Sequence, residues 1–148
     1  MDYFPIRADD FSNLHLMDEA LLSMVRTDHS TVGDRLTLEE YLSLPHVVRE
    51  HGRPIVDSVL KKLGHTRKIA LRVPHFLSMP LIVEKTIFIC TLPRRMGQVY
   101  TEFFRTRLLK MPVDVPRIPI YLMWHQSANT DPGHMWLRQS IYDLCQRL

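Results

Sequence analysis

A chain of 148 residues is the size of one domain, and 45% hydrophobic with 24% charged residues is the composition of a core-forming globular protein, not a disordered one. The net charge of +3 comes from scattered Lys and Arg with no clustered stripe, which argues against direct nucleic-acid binding by this chain. No apolar run approaches the ~18 residues of a membrane span. Met1-Asp2-Tyr3 lacks the basic and apolar regions of a signal peptide, so a reduced, cytoplasmic protein is expected.

Residues 1–13, with Pro5 and Asp9-Asp10, read as an irregular loop cut from something longer. Leu14–Met17 is a short apolar run, and Ala20–Thr27 reads as a largely buried strand. Thr37-Leu38-Glu39-Glu40 is a capping-box pattern that starts a short helix, and Pro45 stops it. His46-Val47-Val48 makes a short strand. Gly52-Arg53-Pro54 opens a second helix with Val56, Val59, Leu60 and Leu63 on one face and Gly64 as its C-terminal cap.

Arg67–Val73 alternates Ile69, Leu71 and Val73 against Lys68, Ala70 and Arg72 and reads as a strand. With Ser78 as N-cap, Pro80 falls in the first turn of a helix reaching Glu84 or Lys85. Thr86–Leu92 shows little alternation, as a central strand covered on both faces does. Pro93 begins a helix to Phe103 or Phe104, and a proline-rich connector covers Met111 to Pro119. Ile118–Trp124 is a strand. Asp131-Pro132 starts a C-terminal helix whose buried stripe is Trp136, Leu137, Ile141, Leu144 and Leu148. Strands alternating with helices define an α/β domain with a parallel or mixed sheet.

A strand delivering the chain to a helix start makes a crevice where α/β sheets bind small molecules, and Pro74-His75-Phe76 would sit at its lip. His75 suits a hydrogen bond to a carboxylate or phenol; a turn histidine capping local backbone is the competing reading. Pro74 and Phe76 would line an apolar wall or pack in the core. Thr91 offers a hydroxyl at the end of the central strand, or caps the helix that follows Pro93. Pro93, which with Thr91 ends the central strand, and Trp124, which with His125 ends the last strand, are further effector-contact candidates; for Trp124 a hinge or interface role competes with simple burial. Cys90 and Cys145 lie in apolar runs and read as buried thiols. No histidine or cysteine pair has metal-ligand spacing, and no nucleophile elbow or phosphate-cradling glycine loop occurs. Hence no metal, no cofactor and no catalytic residue is expected.

Several motifs in register carry a resemblance. They are Arg26-Thr27-Asp28-His29, Leu36 through Tyr41, Leu44-Pro45-His46-Val47, Leu71 through Leu77, Thr91 through Arg95, Trp124-His125 and Trp136-Leu137-Arg138. Together the chain resembles the effector-binding domain of LysR-type transcriptional regulators, in the branch of nodulation and aromatic-degradation regulators. The resemblance implies a fold like type 2 periplasmic binding proteins, with a small aromatic or carboxylate effector held in a cleft between two α/β subdomains. It implies that residues 1–27 end the first subdomain and cross over, that 28–115 form the second, and that 116–148 return to the first. It brings His46 close to the hinge, as an effector contact or as a satisfied structural histidine. It further implies a homodimer or tetramer in an intact protein that reaches DNA through a winged helix-turn-helix this chain does not include. A solute-binding protein of the same fold is the alternative; an enzyme is not expected.

Overall fold

A computed structural model of the chain describes residues 10–51 and 55–147. The chain divides into two compact units, with boundaries after Glu19 and again after Arg117. The larger unit, from Ala20 to Arg117, is therefore one continuous stretch of chain, while the smaller is assembled from both ends.

The larger unit carries a five-stranded mixed sheet. In chain order its elements are β2 (Leu21–Arg26), α1 (Leu38–Ser43), β3 (Pro45–Arg49), α2 (Ile55–Lys62), β4 (Lys68–Val73), α3 (Ser78–Val83), β5 (Ile89–Pro93), α4 (Arg94–Phe103) and β6 (Thr106–Lys110). The strand order is β4-β3-β5-β2-β6. β3 is parallel to both β4 and β5, and β2 is antiparallel to β5 and β6.

Two apolar layers cover this sheet. One gathers Val25, Tyr41, Leu44, Val56, Leu60, Ile89 and Leu109 around α1 and α2. The other gathers Met24, Val47, Val73, Met79, Val83, Cys90 and Leu92 around α3, with Met96 and Tyr100 of α4 packed against it. Consecutive residues of β5 serve opposite layers, Ile89 one and Cys90 the other. That is why the run alternates so little in polarity: both faces of a central strand must be apolar. The start of the strand differs from the expectation. Thr86 is not in it; its hydroxyl donates to the Ile82 carbonyl (2.9 Å) and accepts from the Phe88 N–H (3.2 Å), closing the turn after α3.

Local signals fix the helix ends. Thr37 caps α1: its hydroxyl accepts from the Glu40 N–H at 3.2 Å, and the Glu40 carboxylate accepts from the Thr37 N–H at 2.7 Å. The Thr37 N–H and the Thr37 hydroxyl, which donates to the same carboxylate at 2.9 Å, hold the Glu40 carboxyl below its ordinary range. α2 ends where Gly64 takes φ +77°, with the His65 N–H donating to the Leu60 carbonyl. Residues 52–54, expected to open α2, lie outside the described residues. α3 departs from expectation: Leu77, in helical conformation, precedes it with no side-chain cap, so Ser78 is its first residue and not its N-cap.

The smaller unit pairs β1 (Phe11–Glu19) antiparallel with β7 (Ile118–His125), followed by a 3-10 turn over Gln126–Ala128 and α5 (Pro132–Cys145). Asp131 caps α5 through the His134 N–H at 2.6 Å. Phe11–Asn13 are not loop but the start of β1, whose polar Ser12, Asn13 and His15 hide the strand from a hydrophobicity count. Residues 20–27 belong to the larger unit, because β2 bonds to β5 and β6, so the expected first boundary at 27/28 is too late and the second, at 115/116, is two residues early. β6, not anticipated at all, buries Thr106 and Leu109 beside charged Arg107 and Lys110 and looks polar as a run.

The stripe on α5 is also corrected. Trp136 is 71% and Leu144 62% exposed, and no residue of α5 is buried. A two-stranded ribbon is too narrow to cover a wide apolar helix face. Leu148 lies outside the described residues, and Cys145 is only half-buried.

Removing the α1 cap with Thr37→Ala is expected to destabilise the chain by about 1 kcal/mol, the usual worth of such a cap. Urea unfolding monitored by circular dichroism measures it; an unchanged midpoint would show that α1 does not need its box.

Candidate functional site

The larger unit holds a buried polar network on the α1/α2 side of its sheet. Tyr41, in the last turn of α1, is fully buried. Its phenol and the Thr91 hydroxyl of β5 lie 2.9 Å apart. Arg67, just before β4, donates to the phenol oxygen at 3.4 Å and grips Asp57 of α2 through two bonds of 2.7 and 2.9 Å. With the phenol oxygen accepting from Arg67, its proton is directed to Thr91, whose own hydroxyl turns to the Met111 sulfur at 3.9 Å. Ser23 of β2 donates to the same sulfur at 3.1 Å.

His46 completes the network. Its Nε2–H donates to the Tyr41 carbonyl at 2.7 Å, and its ring meets the Tyr41 ring edge-on at 4.5 Å. This satisfies one of the carbonyls that the end of a helix leaves open. Nδ1 is buried with no partner among the described residues.

Electrostatics follow from burial. Desolvation pushes the Tyr41 phenol up, with Arg67 opposing. Burial works against the Arg67 charge, but the Asp57 carboxylate outweighs it and the guanidinium stays firmly protonated. Arg67 in turn holds Asp57 below its ordinary range. Burial drops His46 to about 4, so its imidazole is neutral at physiological pH. Burial alone raises the Cys90 thiol, which keeps it unreactive. Among the described residues, no group of three or more His, Cys, Asp or Glu is placed to hold a metal ion.

The residues singled out from the sequence thus separate into three places. His46 and Thr91 share the Tyr41 network; His46 lies in register with Ile89, the first residue of β5, far from the strand's C-terminal end. The Thr91 hydroxyl is engaged by Tyr41, so it does not cap α4; Pro93, the last residue of β5, takes the N-cap position without a side-chain bond. Pro74, His75 and Phe76 follow the C-terminal end of β4, where Pro74 and His75 are exposed and Phe76 packs against the α3 layer. Pro93 also stands at a strand end, opposite Leu21, and the Arg94 N–H beside it donates to the Ala20 carbonyl at 2.8 Å. Trp124 belongs to the smaller unit, half-buried, its indole N–H donating to Asn129 at 2.7 Å and its ring under Arg138 at 4.5 Å.

Sequence reasoning missed Tyr41, Asp57 and Arg67. Tyr41 was legible in principle, since the fourth residue after a capping threonine faces the core when Leu38 and Leu42 flank it. Asp57 lies on α2 and Arg67, ten residues on, just before β4, and nothing in the run of residues pairs them.

An α/β unit with β3, β4 and β5 parallel and helices on both faces, joined to a second unit through two chain crossings, is the architecture of type 2 periplasmic-binding-like domains. The family described as the LysR substrate binding domain matches residues 2–146, and the chain belongs to it. It is 33% identical over 137 residues to the HTH-type transcriptional activator NahR of Pseudomonas putida, covering 90% of this chain and 46% of that protein. It is 31% identical over 144 residues to Nodulation protein D 1 of Neorhizobium galegae, covering 92% and 46%. The chain spans just under half the length of these relatives. In fold it is similar to the regulatory domain of MexT, a transcriptional activator in Pseudomonas aeruginosa, with TM-score 0.80, 24% identity and coverage of 90% of this chain and 67% of that one. It is also similar to the effector binding domain of QuiR in complex with shikimate, with TM-score 0.76, 16% identity and coverage of 97% and 69%.

His46 makes stability depend on pH. Its folded value, about 4, lies below the ordinary 6.5, so the unfolded chain takes up the extra proton first. The contribution is whole above pH ~6.5 and falls by about 3 kcal/mol as pH drops to ~4. Stability measured by urea titration across that window should decline, and His46→Gln should flatten the slope. An equal slope in the variant would remove His46 as its source.

Proposed function

We propose that this chain is the effector-sensing part of a LysR-type transcriptional regulator, one that binds a small aromatic or carboxylate molecule and thereby controls transcription. The observation that carries the reading is the family match across nearly the whole chain, supported by relatives named as transcriptional activators and nodulation proteins. The shikimate bound by QuiR is a small ring carboxylate, which supports that ligand class. The contact residues we propose are His75 with Pro74, Phe76 and Pro93, at the C-terminal ends of the parallel strands where open α/β sheets take ligands. His46, Thr91 and Trp124 remain proposals of the sequence, and their engagement in internal bonds favours a supporting role over direct contact.

The function is regulatory and not enzymatic in this reading. An effector acts by differential affinity for two arrangements of the protein, and the shift is passed to DNA-binding segments outside this chain. The intact protein is a cytoplasmic homodimer or tetramer. No described helix is long and apolar enough to cross a membrane.

Full-length protein mixed with promoter DNA in a gel-shift assay separates this reading from a solute binder. Retained DNA, with mobility or footprint altered by an aromatic acid, is the expected result. Ligand binding with no affinity for any promoter fragment would favour the solute binder. A saturating effector at 100 times its Kd should also stabilise the protein by about 2.7 kcal/mol.

A further inference from the structure

We infer that Arg49 is a carboxylate-binding residue, its guanidinium held in place by the Phe76 ring, and that the effector is a carboxylate anchored there. The inference rests on the effector-sensing reading above and goes beyond it by naming the anchor and the ligand group.

Arg49 is the last residue of β3 and pairs with Val73, the last residue of β4. The Glu50 N–H donates to the Val73 carbonyl at 2.8 Å, so the ladder continues past Arg49 and its backbone is fixed. The residue is nonetheless exposed. Its guanidinium carbon lies 4.9 Å from the centre of the Phe76 ring, within cation–π range. Phe76 is itself anchored in the α3 layer, so the ring is a firm platform.

Four other arginines of the chain are spent on internal acceptors. Arg26 binds Asp28, Arg67 binds Asp57, Arg107 donates to the Val32 and Gly33 carbonyls, and Arg138 donates to those of Ala128 and Asn129. Arg49 has no carboxylate or carbonyl partner among the described residues. Contact with a ring face uses up none of the five N–H donors, and the guanidinium fork matches a carboxylate in two-point geometry. An oriented, unneutralised cation at the C-terminal end of adjacent parallel strands is a site built for an anion. His75, one residue before Phe76, is exposed as well.

The test uses full-length protein carrying this chain, titrated calorimetrically with benzoate, 4-hydroxybenzoate and shikimate and with the primary amide of each. Arg49→Gln and Arg49→Lys are titrated in parallel, and their melting temperatures confirm folding. The expected result is that at least one acid binds, that its amide binds at least ten-fold more weakly, and that Arg49→Gln abolishes this preference. Arg49→Lys keeps the charge without the fork and should recover only part of it. Acid and amide binding alike, or Arg49→Gln leaving the preference intact, would overturn the inference while the sensor reading stands. Binding of no acid and no amide would overturn both.

Discussion

A phenol buried out of reach of water must find its hydrogen bonds inside the protein, and the larger unit is arranged around that demand at Tyr41. Thr91 meets the hydroxyl from β5 and Arg67 meets it from the approach to β4. The arginine is then a charge out of water and requires Asp57 on α2. The Tyr41 carbonyl takes the His46 imidazole from β3. One helix, α1, is thereby tied to three strands and a second helix through groups that are costly to leave unmet. A slip of β3 by one residue would send His46 to the other layer and put Val47 against the Tyr41 carbonyl, so the network also fixes register.

Much of the fold could be read from local chemistry. The Thr37 box, the Gly64 cap, the Asp131-Pro132 start and the apolar run into Leu92 each act within a few residues, so their meaning survives without a partner in view. β1 and β6 escaped for the opposite reason. Their polar residues are tolerated because each is a marginal strand of its sheet, and only the partner strand shows that they pair at all. α5 misled in the other direction: its apolar residues have helical spacing, but spacing cannot say whether a surface exists to receive them.

The candidate site was half-legible on the same principle. Position along a strand could be inferred, so Pro74, His75, Phe76 and Pro93 do stand at strand ends. The facing of a short strand could not. His46-Val47-Val48 has no alternation to read, and the structure turns His46 inward onto Tyr41. Arg49 gave no signal because its meaning comes from Phe76, twenty-seven positions away. The two ends of the sheet consequently differ in character. Around Tyr41 charge is enclosed and cancelled by internal partners, whereas at the ends of β3 and β4 it is oriented and left open.

The continuous course of the larger unit has a further consequence. Its first strand and its last are hydrogen-bonded neighbours, with Leu22 opposite Lys110, so the chain enters and leaves at one spot. A segment whose ends already touch can close on itself without help from its surroundings, and exchanging it costs the host little loop entropy. The architecture thus suits recombination: one ancestral frame can accept interchangeable inserts and acquire a new chemical preference in a single event.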